Sequence, residues 1–222
     1  MFTLPFYIPA LLIACVLFTL YMLGKATNAK VIGIASIWLI VQGIIALTGF
    51  YTNTASIPPP FLLLLIPPFA LIAFLFNSKK GLAFIDRTDK KTLTWLHTVR
   101  IPVEIMLFLL FTEKMIPELM TFEGRNFDIL AGLTAPVIAW FGYHKFKLSK
   151  ILMIGWNIIC IGLLLNIVIH ALLSAPFPFQ KMAFDQPNIA LFYFPFIYLP
   201  GFIVPVVFFS HFASLRALFK GH

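Results

Sequence analysis

The sequence predicts an all-α integral membrane protein, a single domain of seven transmembrane helices with its N-terminus outside and its C-terminus inside. Three observations lead there. Hydrophobic residues make up 61% of the 222 and charged residues only 11%, less than half the roughly 25% of a soluble domain. The mean hydropathy is +0.98, and the apolar runs reach the ~20 residues that a helix needs to cross a bilayer. Those runs are continuous, which excludes the period-two alternation of a transmembrane strand.

The spans follow in order. The first, 3–23, resembles a signal peptide in its apolar core. No positive charge precedes it, however, and the core is too long for a cleaved signal, so it reads as the first crossing. Lys25 and Lys30 flank a turn into the second span, 31–50. An uncharged loop leads to the third, 59–76, which Pro67 and Pro68 are expected to break in the middle. A basic linker, 77–91, has room for an amphipathic turn before the fourth span, 92–112. An acidic segment precedes the fifth span, 126–143, followed by the sixth, 149–173. A loop with Pro176 and Pro178 precedes the seventh, 188–212.

Charge sets the orientation. With the N-terminus outside, cytoplasmic segments hold Lys25, Lys30, Lys79, Lys80, Arg87, Lys90, Lys91, Lys145, Lys147, Lys150, Arg216 and Lys220, whereas Lys114, Arg125 and Lys181 lie outside. Cationic residues concentrate on the cytoplasmic side of membrane proteins, so the net charge of +8 reports topology. No nucleic-acid partner is expected, and the bilayer itself is the first partner. Trp95, Trp140 and Trp156 fall near cytoplasmic helix ends, as an interfacial belt places them. Cys15 and Cys160 sit inside apolar spans and read as small core residues. No cofactor is expected.

The fourth span carries the main polar constellation. His97, Arg100 and Glu104 are spaced i, i+3, i+7 and share one helix face. A charge at the centre of a transmembrane helix costs about 2.5–3.5 kcal/mol on insertion scales. Arg100 and Glu104, four residues apart, are expected to neutralise each other, and Pro102 between them to bend the helix. Ionisable residues at that depth mark functional sites; a locked ion pair is the structural alternative.

A second polar cluster is expected on the outer side: Glu123, Arg125, Asp128, Asn166 and His170. Gly124 suggests a tight turn aiming Glu123 and Arg125 inward, while Asn126 and Asp128 also suit the cap and first turn of a helix. Asn166, His170 and Ser174, spaced i, i+4, i+8, form a stripe that can face Glu123 and Asp128. Ordinary interhelical hydrogen bonding explains such a stripe equally well. His97, His144 and His211 fall at similar depth near cytoplasmic helix ends and are the candidates for a metal or haem site. No HExxH motif supports one.

Two stretches, Glu118-Leu-Met-Thr-Phe-Glu-Gly-Arg-Asn-Phe-Asp-Ile-Leu-Ala-Gly132 and Phe184-Asp-Gln-Pro-Asn-Ile-Ala190, resemble parts of uncharacterised small bacterial membrane proteins. That resemblance implies a bacterial cytoplasmic (inner) membrane location and carries over neither an activity nor catalytic residues. The 3+1+3 layout resembles that of SWEET and PQ-loop transporters, although the Pro-Gln motif is absent and only the reversed Gln186-Pro187 occurs. A microbial-rhodopsin reading fails because the seventh span has no lysine for retinal.

The expectation is therefore a small transporter or channel-like protein handling a small solute, a proton or a lipid, rather than an enzyme. Two alternatives stand beside it: a membrane-embedded enzyme acting on a lipid-like substrate, and a non-catalytic scaffold or sensor.

Overall fold

The computed structural model describes residues 4–145 and 148–220, with the side chain of His144 outside the described set. Those residues form an all-helical bundle. We number its helices α1 (Tyr7–Ala26), α2 (Ala29–Leu47), α3 (Leu62–Asn77), α4 (Lys79–Arg87), α5 (Lys90–Thr112), α6 (Ile129–Tyr143), α7 (Lys150–Leu173) and α8 (Leu199–Lys220). Five of these, α1, α2, α5, α7 and α8, are long and apolar enough to cross a membrane. The α3–α4 pair qualifies only jointly and is bent by 96°, and α6 is shorter.

Helix α5 is the axis. It packs against α1, α6 and α8, and 61% of its most apolar window is buried. The corresponding value is 67% for α8 but only 22% for α2 and 28% for α7. The peripheral helices thus turn large apolar side chains outward, among them Ile34, Ile37, Ile40 and Ile44 on α2. A bundle that leaves such a surface uncovered is built for an apolar surrounding.

Several expected boundaries shift, each for a local reason. Pro67 and Pro68 lie within α3 without breaking it. The break falls instead at Ser78, whose extended backbone ends α3 and whose hydroxyl accepts from Gly81 N at 3.1 Å to cap α4. The corner is so tight that a Cβ on Gly81 would lie 2.3 Å from Leu75 O. Pro102 likewise does not interrupt α5. The local change is a 3-10 turn at His97–Val99, one turn earlier, and the helix continues to Thr112.

The last helix starts at Leu199 rather than 188. Pro195 and Pro200 cannot donate to a helical ladder. The amides of Asn188, Ile189 and Ala190 bond outward, to Ser174 O and to Met115 O. Helix α6 begins at Ile129, after a non-helical segment that runs back into the bundle.

The linker between α3 and α5 forms the amphipathic α4. Its buried Ile85 packs in one cluster with Leu93, Phe209 and Ala213. Its exposed Asp86 accepts from Arg216 Nε at 2.8 Å and from Lys220 Nζ at 2.7 Å, tying α4 to the end of α8. Those donors, Arg216 first, hold the Asp86 carboxyl down at about 2.

Because that value is depressed on folding, the contribution is present in full above the ordinary carboxylate value and is lost as pH falls through about 2. Asp86→Asn is expected to lower stability at pH 7 by about 1 kcal/mol or less, given the exposure of the tether. The difference from wild type should shrink at high salt and vanish at acid pH, as thermal unfolding in detergent would measure.

Candidate functional site

The site is built around Arg100, which the 3-10 turn and the second half of α5 place in the middle of the bundle. Arg100 is 3% exposed, and around it Glu104 is 1% exposed, Asp128 4%, and Asn126, His97 and His211 0%. All six are almost wholly buried, so their partners must come chiefly from the protein or from a molecule held within it.

Helix α5 does not pair Arg100 with Glu104. Arg100 Nη1 lies 3.1 Å from Asp128 Oδ1, an ion pair whose angle falls short of a hydrogen bond. Arg100 Nη2 lies 3.1 Å from His211 Nε2 on α8. Guanidinium is a donor only, so Nε2 accepts. That leaves the proton on His211 Nδ1, which donates to Asn157 Oδ1 on α7 at 2.8 Å. The Asn157 amide in turn donates to Met153 O at 2.9 Å. A helix-internal partner at i+4 sits alongside the arginine, whereas Asp128 and His211 face its tip from α6 and α8. The long arginine side chain therefore pairs across the bundle.

Glu104 is held by Asn126, whose Nδ2 reaches Oε1 at 2.7 Å and Oε2 at 2.6 Å, and also Met120 O at 3.0 Å. Asn126 Oδ1 accepts from Asp128 N at 3.0 Å. Asn126 is therefore not the helix cap its type suggests, since the cap position falls to Asp128, which makes no side-chain cap bond; Asn126 instead closes a turn ahead of the helix and bridges both carboxylate-bearing segments. From Glu104 to the end of α5 is eight residues, or about 12 Å of helix. The chain beyond Thr112 must return through that depth to present Asn126 and Asp128. Its turn is closed by Gly124 N to Thr121 O at 3.0 Å and by Asn126 N to Thr121 O at 3.1 Å.

Close contact between α5 and α6 completes the geometry. A Cβ on Gly132 would lie 2.9 Å from Ile101 Cγ1 and 3.2 Å from Arg100 Cβ. Gly132 is one helical turn after Asp128, so the residue that permits the approach lies on the face that carries the carboxylate.

His97 stacks on His211 with ring centroids 3.9 Å apart and planes at 21°. Trp156 covers both rings, its centroid 5.5 Å from each. Trp156 Nε1 donates to Thr134 Oγ1 at 2.9 Å. Within the cluster, His97 Nδ1, His97 Nε2, Arg100 Nε and Asp128 Oδ1 have no hydrogen-bond partner among the described residues, the last facing Arg100 as an ion pair only.

The expected outer cluster does not assemble. Asp128 belongs with Arg100. Glu123 and Arg125 are exposed, because the turn at Gly124 directs them away from the bundle. Asn166 meets this segment through the backbone, its Nδ2 donating to Arg125 O at 2.7 Å, and His170 Nδ1 lies 2.8 Å from Asn166 O within α7. Of the histidine trio, His97 and His211 meet as stacked rings, and the His144 side chain lies outside the described residues. Among the described residues no group of three or more His, Cys, Asp or Glu side chains is placed to hold a metal. The sequence signal for Asn157 is an amide in the middle of an otherwise apolar span.

Residues 57–219 match a family model described as Domain of unknown function (DUF8737), and the chain belongs to that family. The match contains α3 to α7, α8 up to its penultimate residue, and every residue of the buried cluster. No curated protein and no solved structure matches the chain.

The geometry predicts a specific coupling pattern. Arg100→Met alone should destabilise the protein by about 3–5 kcal/mol, because it strands a buried carboxylate. In double-mutant cycles the coupling of Arg100→Met with Asp128→Asn should exceed that with Glu104→Gln, as measured by unfolding in detergent. A larger Arg100–Glu104 coupling would restore the intrahelical pair.

Proposed function

We propose that this member of the DUF8737 family is a seven-span membrane protein, N-terminus outside and C-terminus in the cytoplasm, and a small proton-handling transporter or channel-like protein. The observation that carries the reading is the non-helical segment ending in Asn126 and Asp128, which runs back to the depth of Glu104 and Arg100. Irregular backbone at membrane depth occurs where it is buried in protein or lines a cavity, and interrupted helices are the usual carriers of transport sites.

Two further features support a site over a purely structural lock. The partner groups left open on His97 and Arg100 Nε offer hydrogen bonds to a water or solute, whereas a lock would satisfy its own members. The charge inventory is also uneven: two carboxylates, Glu104 and Asp128, face one guanidinium, and one added proton makes the cluster neutral.

The topology rests on the distribution of Lys and Arg and on helix geometry. Seven crossings require α3 and the short α6 to span, with α4 lying along the cytoplasmic surface after the 96° corner. The resemblance to uncharacterised bacterial membrane proteins supports an inner-membrane location. In this frame His97, His211 and Trp156 lie towards the cytoplasm and the Asn126–Asp128 segment enters from outside. The cluster thus joins the two halves of the bundle.

Proton flux into proteoliposomes under an imposed pH gradient tests the reading. Wild type should dissipate the gradient faster than empty liposomes. Asp128→Asn and His211→Gln should slow it at least about tenfold, the size of a proton-transfer contribution, and Glu123→Gln should leave it unchanged. Wild-type flux equal to that of empty liposomes, or undiminished flux in both cluster variants, would remove the proposal.

A further inference from the structure

The end of the bundle that carries α4 holds two adjoining cavities of opposite character. One, of about 240 Å³, is an apolar groove whose walls include Ala35 and Trp38 of α2, Pro67 and Leu71 of α3, and Pro205 and Phe209 of α8. The other, of about 370 Å³, is a polar recess walled by Thr27, Asn28, Lys80, Phe84, Arg87 and Thr88. Phe84 lines both. On α4, Lys80, Phe84 and Arg87 are spaced i, i+4, i+7, so one helix face supplies the cations of the recess and its shared wall with the groove, and Thr88 follows as the helix's C-cap.

The cations of the recess lack a carboxylate partner among the described residues. Asp86 is engaged by Arg216 and Lys220. Asp89 caps α5 by accepting from the amides of Lys91 and Thr92 and from the Thr92 hydroxyl. Lys80 and Arg87 make no ion pair with either. An exposed pair of cations beside an apolar groove is complementary to one class of molecule, an anion with a hydrocarbon tail. The wall of the groove along α3, from Pro67 to Leu75, is eight residues or about 12 Å long.

We infer that the protein holds an anionic phospholipid, its phosphate in the Lys80–Arg87 recess and an acyl chain in the groove between α2, α3 and α8. The assignment rests on the membrane-spanning topology proposed above, which puts the recess at the level of the cytoplasmic headgroups, and it is independent of proton flux. In that leaflet Lys and Arg near the surface attract anionic lipids. The bound lipid joins α4 to the α1–α2 turn through its head and fills the space between peripheral helices with its tail.

Native mass spectrometry of the full chain in detergent tests this, with phosphatidylglycerol and phosphatidylcholine of the same acyl chains at equal concentration. Wild type should retain one phosphatidylglycerol in preference to phosphatidylcholine. The Lys80→Gln/Arg87→Gln variant should lose that lipid by about ten- to thirtyfold, the combined effect of two surface cations. Lys150→Gln, an exposed cation on α7, should not. Leu71→Trp, which narrows the groove, should weaken retention, and glycerol phosphate in excess should fail to displace the lipid.

Unchanged retention in the double variant, equal retention of both headgroups, or displacement by glycerol phosphate would overturn the site. A protein that stays monodisperse without detergent and retains neither lipid would overturn the membrane topology beneath it. A detergent-dependent protein with no headgroup preference would overturn the site alone.

Discussion

The Arg100 guanidinium is the constraint on which the rest of this bundle depends. It is a permanent cation with five donors, and it is nearly inaccessible. Three helices answer it. Asp128 comes from the start of α6, His211 from α8, and Asn157 of α7 supports His211. Removing a charge from water costs several kcal/mol even after relaxation, so these contacts decide how the helices around α5 are placed.

The demand for a partner accounts for features that otherwise look unrelated. Asp128 can reach Arg100 only if the chain after α5 runs back into the bundle, which shortens α6. It can remain there only if α6 approaches α5 closely, which requires Gly132. The returning segment must then satisfy its own backbone, and Asn126 does much of this work, bonding Met120 O, the Asp128 amide and both oxygens of Glu104. Glu104, displaced from Arg100, gains a neutral donor in place of a charged one. The arrangement leaves polar capacity unfilled at His97 and at Arg100 Nε.

Away from this centre the chain is organised by apolar surface. Helices α2 and α7 carry few buried residues and pack mainly by their edges, leaving grooves between them and the inner helices. The 96° corner after α3 turns a basic amphipathic helix across the mouth of one groove. A charged face and an apolar slot therefore meet at Phe84, which lines both cavities.

The helical class, the order of the helices and the identity of α5 as the carrier of buried charge are legible in the residues alone. These are local properties. Hydropathy over about 20 residues marks a helix that can cross a bilayer, and the spacing of His97, Arg100 and Glu104 puts them on one face whatever surrounds them. The residue pattern also marks the 77–91 linker as amphipathic. Only the tertiary structure decided who pairs with whom. The i, i+4 spacing suggested Arg100 with Glu104, but a long side chain in a packed bundle bonds whatever lies at its tip, and that is set by neighbouring helices. The fold-back of the Asn126–Asp128 segment, the stacking of His97 on His211 and the outward turn of Glu123 and Arg125 depend on contacts between residues far apart in the chain. No local pattern of residue types encodes those distances.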